Sequence, residues 1–223
     1  MQVHLTTSRP VRRALALTAC LGLALSACSS NGSGSAPSPS AKPSPTSTVK
    51  VPAGVKLTAQ GSKLSFGDTA SVIFEPSKQK GTALQLTVKG ARQGSMNDFK
   101  GFILDDKYKQ DANYYYVDVT VKNVGEGDVG GVPVPLWGVS GDNVLLPAVN
   151  FTTSFPNCPS KPLPSKFAAG ASFSTCLVYL SPNHGALDAV SYRPDQAFNP
   201  ITWTGEITTP APKPTKKAKP KKR

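Results

Sequence analysis

Tyr114-Tyr-Tyr-Val-Asp-Val-Thr-Val-Lys122 is the stretch on which the fold class turns. In an extended chain Tyr115, Val117, Val119 and Val121 share one face, and Tyr114, Tyr116, Asp118, Thr120 and Lys122 share the other. A period of two with β-branched and aromatic residues on the apolar side is the pattern of a half-buried strand. Outward from it, Leu84, Leu86 and Val88 alternate with Gln85, Thr87 and Lys89 in the same way. Ala171–Leu180 becomes apolar on both faces in its second half, as a central strand would. Weaker patterns predict strands at Thr69–Phe74, Phe99–Leu104, Pro135–Val139, Val144–Ala148, Ala189–Tyr192 and Thr202–Ile207. Turn formers separate them: Gly125-Glu-Gly-Asp, Gly141-Asp-Asn and Ser181-Pro-Asn-His-Gly185. No long segment carries a helical stripe, so the expected fold is all-β, an antiparallel β-sandwich over residues 54–208.

The ends of the chain have a different composition. The 223 residues carry a formal charge of +12, but Arg9, Arg12 and Arg13 supply three of those charges before residue 28. Lys213, Lys216, Lys217, Lys219, Lys221, Lys222 and Arg223 supply seven more at the C-terminus, which leaves +2 for everything between. A near-neutral body carries no nucleic-acid footprint, so no nucleic-acid partner is expected. Residues 28–53 are rich in Ser, Pro and Gly, and residues 209–223 in Lys and Pro. Neither composition buries a core, so both are predicted to be disordered. The Pro-Ser alternation from Pro37 to Pro45 favours an extended spacer.

Residues 1–27 read as an export signal. A basic start ending in Arg12-Arg13 leads into the apolar run Ala14–Leu25, then Leu25-Ser26-Ala27-Cys28. An apolar run of this length before small residues is a cleavable signal rather than a span, which needs ~20 residues. Leu25-Ser-Ala-Cys28 matches the lipobox of bacterial lipoproteins, in which the thiol receives diacylglycerol and the chain is cut before the cysteine. Leu17-Thr-Ala-Cys20 fits the same pattern but would strand apolar residues at the mature end, whereas Cys28 is followed by polar Ser29–Ser35. The expected location is therefore the extracellular face of the cell membrane, by a lipid on Cys28. The arginine pair leaves general secretory and twin-arginine export both open.

Of four cysteines, Cys20 leaves with the signal and Cys28 carries the lipid, so Cys158 and Cys176 remain. An even pair outside the cytoplasm is expected to form a disulfide. They lack the CxxC spacing of a redox pair and have no neighbouring histidine.

Tyr115-Tyr-Val-Asp-Val-Thr-Val-Lys-Asn-Val-Gly125 resembles the marker strand of a family of bacterial extracytoplasmic immunoglobulin-like domains of unknown function. The later strand Ala171–Leu180, after Phe167-Ala-Ala-Gly170, matches the family's second element, and the resemblance spans residues 64–207. These domains are common in lipoproteins of Gram-positive bacteria, and the implied source is actinobacterial. Their fold is similar to that of a small secreted mycobacterial antigen. The resemblance implies an immunoglobulin-like sandwich and says almost nothing about function, because the family has no shared catalytic residues to carry over.

Several constellations invite a chemical reading. Gly125-Glu-Gly-Asp-Val-Gly130 has the spacing of a dinucleotide loop, but Pro133 and Pro135 follow where a helix would have to start. His184, the one histidine after the signal, lies in a turn sequence, and no nucleophile elbow accompanies it. Asp105, Asp106 and Asp111 are interleaved with Lys107 and Lys109 and match no Ca²⁺ loop. No metal and no cofactor is expected. Tyr114 and Tyr116, on the polar face of their strand, either pack across strands or form a ligand platform. The basic tail either solubilises the chain or meets anionic lipids or cell-wall polymers. The function expected is that of a non-enzymatic envelope module that binds an unknown component or envelope protein. The alternatives are an envelope hydrolase using loop carboxylates and a structural or antigenic protein without a dedicated ligand.

Overall fold

The computed structural model describes residues 47–141 and 143–209, so Cys28, the signal, the Ser/Pro segment to residue 46 and the tail from residue 210 lie outside the described residues. Ten strands form two sheets, a β-sandwich. The first sheet has β1 (Lys63–Ser65), β9 (Ile201–Thr204), β8 (Ala189–Tyr192), β5 (Trp137–Ser140) and β6 (Val144–Leu146), in that order. The second has β10 (Ile207–Thr208), β3 (Lys80–Gln93), β4 (Asn113–Asn123) and β7 (Ser172–Ser181), with β2 (Thr69–Ser77) also on β3. The pairing is antiparallel except for β1 on β9 and β10 on β3, which are parallel.

The alternating strands read from the sequence supply the core. Leu84, Leu86 and Val88 of β3 and Val117, Val119 and Val121 of β4 point inward. With Leu177 and Tyr179 of β7 they meet Val190, Tyr192, Ile201 and Trp203 from the opposite sheet. Each such side chain contributes ~1.5–3 kcal/mol on leaving water. The polar ends of the large rings are paired. Trp203 Nε1 donates to the Asp68 carbonyl at 3.0 Å, and the Tyr179 hydroxyl to that of Leu136 at 3.0 Å.

Three departures from the sequence reading have local causes. Phe99–Leu104 is not a strand. Ser95 caps a 3-10 turn at Met96–Phe99, the Asp98 carboxylate accepts from the Ser95 N–H at 2.8 Å, and this capping box turns the chain. Thr202–Ile207 is split, because the chain crosses between sheets at Gly205, where a Cβ would lie 2.4 Å from the Phe66 ring. Finally, β3 carries a bulge: Val88 pairs with Val119, but Gly90 pairs with Asp118. The extra residue resets the alternation, so that Ala91 faces the core and Arg92 the outside.

Candidate functional site

The tyrosines on the outer face of β4 are not exposed. Tyr114 and Tyr116 are both 3 % accessible, which corrects the expectation of a polar face at these two positions. They belong to a second apolar cluster on the outside of the β3–β4–β7 sheet, with Phe99, Phe155, Cys158 and Val178. Two loops fold over the sheet to build it. One, between β3 and β4, brings Phe99 and Phe102; the other, between β6 and β7, brings Phe151 and Phe155. Phe99 stacks on Phe155 at 4.9 Å between centroids and lies 4.0 Å from the Tyr114 ring. Of the two roles open to these tyrosines, the structure shows packing.

Cys158 and Cys176 are bonded, with Cα atoms 5.0 Å apart. The disulfide pins the second covering loop to β7. A polar clasp closes the cluster beside it. The Arg92 guanidinium lies 5.0 Å over the Tyr116 ring and donates to Asp118 Oδ2 at 3.1 Å and to the Asn157 carbonyl at 2.8 Å. The Tyr116 hydroxyl donates to Asp98 Oδ2 at 2.9 Å. Burial, and then that bond to a carboxylate, push the Tyr116 phenol well above its ordinary pKa. Burial and the charge of Asp106 raise Tyr114 in the same direction.

The glycine-rich loop has a structural role. Asn123, wholly buried, is its hub. Its Oδ1 accepts from the Thr82 hydroxyl at 2.7 Å and the Gly125 N–H at 3.1 Å. Its Nδ2 donates to the carbonyls of Gly127 and Phe167, both at 2.7 Å. A Cβ at Gly127 would lie 1.9 Å from the Gly81 carbonyl oxygen, so the loop packs closely against the β2–β3 hairpin. Asp128 accepts from the N–H groups of Phe167 and Gly130, which hold its carboxyl below the usual range.

His184 sits at φ 55° in the turn after β7, with its N–H on the Asp111 carbonyl at 2.7 Å. The Asp188 carboxylate, the acid nearest to it in sequence, accepts from the Gly141 N–H at 2.6 Å. Lys109 bridges Asp105 at 2.6 Å and Asp106 at 2.8 Å, and its hydrogen bond is the main cause lowering both carboxyls. Among the described residues no group of three or more His, Cys, Asp or Glu is placed to hold a metal ion.

A predominantly apolar concave surface lies elsewhere, at the end of the sandwich where β2 finishes and β5 begins. A groove of about 590 Å³ opens there. Its floor is the rim of the main core, with Phe74, Val134, Leu136 and Leu177. Trp137, 37 % exposed, and prolines from three connections form its walls. Lys161 and Arg193 supply the charge, and among the described residues no lining side chain is acidic. The first described residues approach the same end. Thr48 donates to Glu75 at 3.3 Å and, with Val49 and Lys50, lies against the β2–β3 hairpin, one residue from the Phe74 and Pro76 that line the groove.

No family model matches the chain, and no curated protein does. Among solved structures, a crystal structure of the secreted protein MPT63 from Mycobacterium tuberculosis is similar to it. The identity is 9 %, the match covers 66 % of this chain and all of that one, and the TM-score is 0.46.

The sequence reading missed Trp137, Lys161 and Arg193. The signal was present in Val132-Pro-Val-Pro-Leu-Trp137, an apolar run broken by prolines. Such a run cannot pair along its whole length and so leaves apolar surface open at a sheet end.

Proposed function

We propose that this protein is a non-enzymatic binding module, held on the extracellular face of the cell membrane by a lipid on Cys28, that presents the Trp137 groove to an envelope component. The groove carries the reading, because it is an apolar concavity with a few charged groups on a disulfide-pinned sandwich. The Cys158–Cys176 bond supports an oxidising compartment, in keeping with the signal and Leu25-Ser-Ala-Cys28. The anchor is tested by feeding cells a clickable palmitate and comparing the wild type with Cys28→Ser. Label and membrane fractionation that vanish in the variant support it; a labelled or still membrane-bound Cys28→Ser protein overturns it.

The basic tail has its own reading. Thr48–Lys50 lie at the start of β3, while Ile207 and Thr208 pair with Ala91 and Arg92 near its end. Eleven residues of strand separate the two places, roughly 35 Å at ~3.3 Å per residue. The C-terminal cations therefore start from the far end of the sandwich, and we assign them to cell-wall polyanions rather than to the membrane that holds Cys28. Salt-sensitive binding to lipoteichoic acid that is lost on removing residues 211–223 supports this. Equal binding to anionic vesicles by the full and shortened chains, with none to the polymer, refutes it.

A further inference from the structure

We infer that the Trp137 groove binds a single acyl chain ending in an anionic group, a ligand of the class supplied by the membrane beneath the protein. The inference rests on the groove reading above and adds the chemistry of the ligand. Three observations carry it. The floor is continuous with the apolar core: Phe74, Val134, Leu136 and Leu177, all buried members of it, close the groove from below with no polar side chain among them. The charge is of one sign. Lys161 and Arg193 both line the groove, no acidic side chain does so among the described residues, and neither cation forms an ion pair there. Arg193 is partly held by its bond to the Gln196 carbonyl at 3.2 Å, which leaves most of its donors for a ligand.

The third observation is placement. Glu75, which accepts from Thr48, lies between Phe74 and Pro76 of the groove lining, so the first described residues reach the sandwich at the end the groove occupies. The volume of about 590 Å³ lies inside the ~300–1,000 Å³ range of small-molecule sites. Proline walls keep their shape without internal hydrogen bonds, so little ordering opposes binding. An apolar peptide would satisfy the floor but would leave two cations without a partner, and a free sugar would leave the floor bare.

Trp137 makes the test site-specific, because the only other tryptophan, Trp203, is fully buried in the main core. The purified protein is titrated with laurate and with dodecanol, which has the same chain without the charge, while tryptophan emission and acrylamide quenching are followed. Laurate should shift the emission to the blue and halve the quenching. Dodecanol should bind at least tenfold more weakly, and Lys161→Gln with Arg193→Gln should weaken laurate tenfold without affecting dodecanol. In Trp137→Phe the remaining emission should be indifferent to laurate while binding, followed by calorimetry, persists. A laurate response that survives in the emission of Trp137→Phe places the ligand elsewhere and overturns the inference. Equal affinity for laurate and dodecanol overturns its charge half, and absence of any laurate binding overturns it whole. None of these results bears on Cys28 labelling, so failure of the ligand and failure of the anchor are separable.

Discussion

Replacing Asn123 with Ala is predicted to unpair the centre of the glycine-rich loop and to lower the stability of the whole sandwich. The substitution breaks four bonds; the Gly125 N–H keeps the Ala83 carbonyl at 3.0 Å and the Phe167 carbonyl keeps the Val129 N–H at 3.4 Å, so the Thr82 hydroxyl and the Gly127 carbonyl lose their partner. Asn123 is 0 % and Thr82 1 % accessible, so water does not reach the site without rearrangement. A buried polar group left unpaired costs about 1–3 kcal/mol. Taking the low end for both, since the loop is able to relax at its outer side, gives a loss of about 2 kcal/mol. With a urea m-value of about 2 kcal/mol/M, the unfolding midpoint should fall by about 1 M at unchanged m. Thr82→Ala, which breaks one of the four bonds, should lose about 1 kcal/mol. Asn123→Asp keeps both accepted bonds but turns an oxygen toward two carbonyls, which raises that carboxyl in the folded state. Its deficit should therefore shrink as pH falls toward 4, the opposite of an ordinary paired carboxylate. A midpoint shift below about 0.5 M for Asn123→Ala would refute the claim that this asparagine organises the loop.

Three further outcomes follow from the outer cluster and the buried phenols. Reducing Cys158–Cys176, which closes a loop of 18 residues, should lower stability by ~3 kcal/mol on the chain-entropy account, read as a shift in the unfolding midpoint with and without reductant. Tyr116→Phe should lose about 1–2 kcal/mol with the bond to Asp98, and Tyr116→Ala ~3–5 kcal/mol, because the ring is packed under Phe155; similar losses would mean that the ring contributes little. Burial raises the phenols of Tyr116, Tyr179 and Tyr192 in the folded state. Their stabilisation is complete below the unfolded value near 10 and is lost as pH rises above it, because the unfolded chain then releases protons that the folded chain retains. Tyrosinate absorbance at 295 nm should thus appear for these three only together with alkaline unfolding; a separate titration in the folded protein would contradict their burial.

The inner face of the sandwich was legible because the sheets obey a period of two there. Leu84, Leu86 and Val88, and Val117, Val119 and Val121, read inward from the sequence and point inward in the structure. Tyr114 and Tyr116 were not legible, because what buries them comes from phenylalanines in two connections distant in sequence. A one-dimensional pattern assigns a side chain to a face but does not say whether a loop returns to cover that face. The bulge at Lys89-Gly90 was hidden for a related reason, since an extra residue shows only in the partner strand's register. The Cys158 and Cys176 pairing followed from counting. The groove did not, because Trp137 at the start of β5 and Lys161 and Arg193 from two separate connections meet only at one end of the sheets.

The parallel pairing of β10 with β3 also has a mechanical meaning. If the chain is held as proposed, to a bilayer at Cys28 and to a wall polymer by its basic tail, it is in tension whenever the two surfaces move apart. The pull enters at Thr48–Lys50 by the β2–β3 hairpin and leaves after Thr208, along the direction of β3. The Ile207–Ala91 and Thr208–Arg92 contacts then slide as a set instead of peeling open one after another, and shear of this kind resists force better than unzipping. In that geometry the domain works as a tie, and its weak point is the two-residue strand β10.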